Sequence, residues 1–131
     1  MYEVDVDYEG SSNYTVKSLN YEVRIGFLKA DGSIDGITPP ALLLASFGSC
    51  LAVYLERYLN EGRIAFKKFF INVKSDICKE TPRYLKVIDV KVDVRGASLD
   101  EKRKEALLMF IKNCPVHNTL MHTPEINVTV Q

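Results

Sequence analysis

Nineteen consecutive residues, Ile37 to Leu55, carry no charge. The stretch from Thr38 to Leu59 reads TPPALLLASFGSCLAVYLERYL, and Ala41, Leu42, Leu43, Leu44, Phe47, Leu51, Val53 and Leu55 fall on every side of a helical wheel. A helix apolar all round belongs in an interior. Thr38 suits an N-cap and Pro39 a first helical position, where the missing N–H would have no partner anyway. Gly62 closes the helix after about Asn60. The run reaches the length of a membrane span. Pro39-Pro40 at its start, the small residues Ser46, Gly48, Ser49 and Cys50 in its middle, and Glu56-Arg57 directly behind it point instead to burial in protein. A single domain of 131 residues encloses such a helix poorly, because small domains bury a smaller share of their surface. A second copy of the chain would complete the enclosure. We therefore expect a homodimer with this helix near the two-fold contact, where Gly48 allows close approach.

The remainder of the chain is organised as strands and one further helical region. Tyr2, Val4 and Val6 alternate with Glu3, Asp5 and Asp7, the pattern of a half-buried strand. Glu9 to Asn13 supplies turn chemistry, and Tyr14–Val16 and Tyr21–Phe27 continue as strands. Beyond the central helix, Lys67 to Glu80 places Phe69, Ile71, Val73 and Ile77 on one face of a long strand, and Tyr84 to Val94 places Ile88, Val90, Val92 and Val94 on one face of its partner. Ser98-Leu99-Asp100-Glu101 has the S-x-x-E form of a capping box. It opens a helix carrying Ala106, Leu107, Phe110 and Ile111, and Pro115 either stops it or opens a short second helix through Leu120. Ile126, Val128 and Val130 read as a last strand. The order β-β-β-α-β-β-α-β is α+β, in one domain spanning residues 1–131.

Seventeen basic and 17 acidic residues cancel, which argues against nucleic acid or an anionic membrane as partner, since both reward a basic face. The alternating, acidic N-terminus lacks the basic and apolar regions of a signal peptide, so a cytoplasmic protein is expected. In a reducing compartment three cysteines do not make a disulfide framework. Cys50, Cys78 and Cys114 contain no C-x-x-C, and His117 and His122 add no zinc pattern, so no metal site is expected. A thiol reacts as thiolate. Cys114, placed at the cap of a helix opening at Pro115, would feel the positive end of that helix. Cys50 lies about three turns into its own helix and needs a basic neighbour, for which Arg24, Arg57, His117 and His122 are candidates. On composition and spacing alone Cys50 is equally a packing residue, as free cysteine commonly is. Cys78, on the polar face of its strand, reads as incidental.

Two segments, T-P-P-A-L-L-L-A-S-F-G-S-C-L (Thr38 to Leu51) and N-C-P-V-H-N-T-L (Asn113 to Leu120), together resemble the signature segments of the OsmC/Ohr family. In that family a P-E-x-L-x-x-A-x-x-x-x-C segment opens a central helix, and a C-P-V/Y segment follows the C-terminal helix. The separation of Cys50 and Cys114, 64 residues, fits as well. The resemblance implies antiparallel sheets around a buried central helix and an intertwined homodimer with active sites at the subunit interface. It implies a cysteine peroxidase that reduces organic hydroperoxides without a bound cofactor and is restored by an external dithiol. Cys50 would be the peroxidatic thiol and Cys114 the resolving one. Leu43, Phe47, Tyr54 and Phe110 would line an apolar substrate pocket.

The sequence departs from the peroxidase pattern at two places. Pro40 stands where the glutamate follows the first proline, and the hairpin Glu9 to Asn13 carries no arginine. This is the pattern of an OsmC-like branch lacking the usual Arg/Glu pair. A second reading therefore stands beside peroxide reduction, a dimeric small-molecule-binding or redox-sensing module. A third, hydrolysis by Cys114 with His117, has no accompanying acid or oxyanion pattern.

Overall fold

The computed structural model describes residues 1–131 and is α+β, with three helices and two antiparallel sheets. The chain divides into two compact units, Met1–Leu43 and Leu44–Gln131. The first unit is a meander of β1 (Asp5–Tyr8), β2 (Tyr14–Ser18) and β3 (Tyr21–Ile25). Val6, Val16 and Val23 stand opposite one another across its three strands. The β1–β2 turn passes through left-handed Gly10, Ser11 and Ser12, and the Asn13 amide donates back to the Gly10 carbonyl at 3.0 Å. After β3 the chain returns on itself, Gly26 N–H donating to Ile37 O at 2.9 Å and Ile37 N–H to Arg24 O at 3.3 Å. The backbones approach so closely that a Cβ on Gly36 would sit 2.8 Å from the Arg24 oxygen, so only glycine fits there.

The second unit is built on helix α1 (Pro39–Glu61), whose first five residues belong to the first unit. The Thr38 carbonyl accepts the helix's opening bond from Leu42 N–H. Phe47, Leu51, Leu55 and Leu59 recur every four residues and form its buried ridge. Burying side chains such as Leu55 and Leu59, both at 0% exposure, contributes roughly 1.5–3 kcal/mol each. The ridge packs against Phe69, Ile71 and Val73 of β4 (Lys68–Lys74), Val92 and Val94 of β5 (Asp89–Arg95), and Leu107 and Ile111 of α2 (Glu101–Ile111). A short helix, α3 (Pro115–Met121), follows.

Three local expectations are corrected. Alpha-2 is capped by Asp100, whose carboxylate accepts from Arg103 N–H at 2.8 Å, not by Ser98; the aspartate lies three residues before that donor, the usual reach of a cap. The turn after α1 takes its left-handed residue at Arg63, where Ile64 N–H reaches back to Leu59 O, and not at Gly62. As expected of a single copy, α1 is not buried all round: Leu43 and Val53 stay exposed, because the packing partners cover a single ridge. The helix is long and apolar enough to span a membrane, but here that ridge is part of a protein core. Finally, Ile126, Val128 and Val130 form no strand and are 75–94% exposed, because no edge of their own chain pairs with them.

Candidate functional site

Helix α2 ends one turn before Cys114, and Cys114 caps α3. Its backbone is extended (φ −64°, ψ 140°), Pro115 fills the first helical position, and the sulfur accepts the His117 backbone N–H at 3.3 Å. The sulfur thereby takes the part that a serine or aspartate oxygen plays at other helix starts. Cys114 has no exposed surface and belongs to the main core cluster. Cys50 projects from the middle of α1, half-buried against the same cluster. The fold brings the two thiols together, Cys50 close enough to act on the ionisation of Cys114. Both are free thiols.

Burial, above all, pushes the Cys114 thiol above its ordinary value of 9.0. The backbone N–H of His117 pulls the other way, and proximity of Cys50 raises it further. Burial and the neighbouring thiol together outweigh the N–H, so Cys114 is harder to ionise than a free thiol.

The basic candidates divide sharply. Arg24 donates to Asn13 Oδ1 at 2.7 Å and to Asp35 Oδ2 at 3.0 Å, engagements internal to the first unit. Arg57 lies over the ring of Tyr54 on its own helix, 5.0 Å from the centroid. His117 reaches the Cys114 sulfur, through its backbone N–H rather than its imidazole. The ring stacks on Phe47 with centroids 6.0 Å apart, and its Nδ1 is buried without a hydrogen-bond partner. His122 Nδ1 sits 3.0 Å from the Asn118 carbonyl at the end of α3.

An open cavity of about 690 Å³ lies between α1, β5 and α2, walled mainly by Phe47, Leu51, Val92, Val94, Leu107 and Ile111 and reached by His117. Of the four residues expected to line a pocket, Phe47 does. Leu43 is exposed and outside it; Tyr54 and Phe110 are outside it as well, their rings 6.0 Å apart in a cluster with Tyr58. An apolar helix gives no sign of which face meets this cavity. The alternation of Val90, Val92 and Val94 with Asp89, Lys91 and Asp93 was the signal for the missed wall. Cys78 lies apart from this cluster, its sulfur accepting Tyr84 N–H at 3.4 Å beside the carbonyls of Glu80 and Pro82.

A family model for OsmC-like proteins matches residues 30–129. The chain belongs to the OsmC-like family. Among curated proteins it is similar to a hydroperoxide reductase of Mycoplasma genitalium, 22% identical over 132 residues, covering 98% of this chain and 93% of the relative. Among solved structures it resembles an OsmC-like protein from Mycoplasma pneumoniae, with a TM-score of 0.82 and 20% identity over 94% of this chain and 89% of the other. It also resembles an organic hydroperoxide resistance protein from Elizabethkingia anophelis, with a TM-score of 0.65 and 19% identity over 94% and 91% of the two chains. At such identities these structures speak for the OsmC-like fold alone.

Proposed function

We propose that this OsmC-like protein reduces organic hydroperoxides, with Cys50 as the attacking thiol and Cys114 as the resolving one. The observation that carries this reading is the meeting of two reduced thiols, distant in sequence, in one core cluster; the apolar cavity is bordered by Phe47, Leu51 and His117 rather than by the thiols themselves. Family membership and the names of the relatives support it. The Cys50 thiolate takes an oxygen from the peroxide and becomes a sulfenic acid, releasing an alcohol. Cys114 gives up its proton and attacks that sulfur as thiolate; the S–O bond breaks, the departing hydroxide takes the proton to leave as water, and a disulfide remains. An external dithiol then restores both by exchange, so no bound cofactor takes part. The apolar walls favour an organic hydroperoxide over hydrogen peroxide.

The working form in this proposal is a cytoplasmic homodimer. Two features support a second copy: the outward residues of α1, and the tail of Ile126, Val128 and Val130, which alternates like a strand yet is exposed. Exposed apolar surface of this extent marks an interface.

The test is peroxide loss from cumene hydroperoxide with dithiothreitol. Wild type consumes it catalytically, whereas Cys50→Ser does not turn over and Cys114→Ser stops after one equivalent unless the added thiol resolves it. Equal loss in all three removes the proposal. A binding or redox-sensing module is favoured by one observation, the departure of the sequence at Pro40 and at the arginine-free hairpin Glu9 to Asn13. That reading expects a Cys50–Cys114 disulfide or a bound apolar molecule without repeated turnover.

A further inference from the structure

The two thiols differ in how firmly the chain holds them. Cys50 is set in the middle of α1, on a stripe whose next two turns pack against α2. Tyr54 meets the ring of Phe110 with centroids 6.0 Å apart, and Tyr58 meets it at 5.5 Å and donates its hydroxyl to the Arg103 carbonyl at 3.4 Å. Cys114 lies in the short link between α2 and α3, residues 112–114, and its sulfur supports the first turn of α3. Pro115 has no N–H, His117 N–H ends on that sulfur at 3.3 Å, and Val116 N–H also favours ionisation of the same sulfur. Asn118 N–H, the next donor, reaches the Cys114 carbonyl at 3.0 Å. No residue of α3 is fully buried; its side chains meet the core through Val116 and through the His117 ring on Phe47. Its 7 residues fall short of the roughly 12–15 that a helix needs to hold itself in water, so the cap is a large part of what keeps it wound.

We propose that the Cys114 sulfur is a redox-operated cap: joining it to Cys50 releases the first turn of α3, so that a buried thiol displays its redox state at the surface. The inference rests on the meeting of the two thiols and not on hydroperoxide turnover. The step is a two-electron oxidation. Each thiol gives up its proton, an S–S bond forms, and two electrons pass to the oxidant. That oxidant is a hydroperoxide in the proposed function, or diamide, an azo compound reduced to its hydrazine. The bond draws two sulfurs from van der Waals contact to about 2 Å. Cys50 is fixed in a packed helix and the link is not, so Cys114 makes the move. Its sulfur is then placed by Cys50 rather than by α3. It can no longer become a thiolate, the form that accepts N–H groups best.

Amide exchange followed by NMR tests this, on reduced protein and on protein oxidised with diamide. Cys78→Ser is the background throughout, which leaves Cys50 and Cys114 as the one possible pair within a chain. Loss of the cap speeds exchange at His117 and Asn118 by about fivefold or more. Arg103, whose N–H is held by the Asp100 cap of α2, keeps its rate. Cys114→Ala uncaps α3 without a disulfide and matches the oxidised pattern. Cys114→Ser keeps an oxygen at the cap and, like Cys50→Ser, stays at the reduced pattern in diamide. Unchanged exchange in α3 once the mass shows the disulfide overturns the proposal. So does equal acceleration at Arg103, which is general loosening, and so does a folded Cys114→Ala with the reduced pattern. If diamide forms no Cys50–Cys114 disulfide, the pairing has failed, and this inference and the hydroperoxide mechanism fall together. If the disulfide forms and α3 responds, the inference stands even in a protein that turns over no hydroperoxide.

Discussion

Cys114 and Cys78 are bonded alike and placed differently. Each sulfur accepts one backbone N–H, from His117 at 3.3 Å and from Tyr84 at 3.4 Å. Cys114 is fully buried in the main cluster, caps a helix and has a second thiol beside it. Cys78 is half-buried in a loop among carbonyl oxygens, with no thiol near it. In the proposed chemistry, therefore, a hydrogen bond to sulfur is not what marks the redox residue. What separates the two is a neighbour able to condense with an oxidised sulfur, in a core that fixes their approach.

The comparison is broken most visibly by activity. Serine at Cys50 or Cys114 reduces steady-state hydroperoxide turnover with a large dithiol reductant to the uncatalysed level, while Cys78→Ser leaves it unchanged; a coupled turnover assay reads all three. Stability comes next. Cys114→Ala deletes a helix cap and leaves a void in the core, costing about 2 kcal/mol, against less than about 1 kcal/mol for Cys78→Ala, both from urea melts. Asp100→Ala calibrates the cap alone. It removes the bond to Arg103 N–H without disturbing the core and costs about 1 kcal/mol. If Cys114→Ala costs no more than Asp100→Ala, core packing around the thiol adds nothing.

The smallest effect is on pH dependence. The folded state holds Cys114 above the ordinary thiol value of 9.0, chiefly through burial. The folded protein thus keeps a proton that the unfolded chain has released. The stability this contributes is whole below pH 9.0 and is lost as pH rises through the folded-state value. Wild type accordingly loses more stability than Cys114→Ser as melts are moved upward from pH 8, and parallel curves would contradict the assignment.

Much of the site was legible because its signals are local. Pro115 following Cys114 announced a helix start with the thiol at its cap, and the charge-free run announced the central helix. The α+β order and the opposed faces of β4 and β5 followed from alternation of period two. What was not legible depends on packing between distant segments. No local pattern says that Tyr54 and Phe110 clasp each other while Val92 and Leu107 wall the cavity. Nor does any say that Arg24 is drawn to Asp35. The tail shows a further limit: Ile126, Val128 and Val130 have the alternation of a strand, but a strand also needs an edge to join, and within one chain these residues pair with none.

The most direct measurement is a peptide map of the protein after one equivalent of cumene hydroperoxide under non-reducing conditions. The account predicts a disulfide joining Cys50 to Cys114 within one chain, with Cys78 still a free thiol. Cys50 carried on to sulfinic or sulfonic acid with Cys114 unlinked, or a disulfide through Cys78, would contradict it.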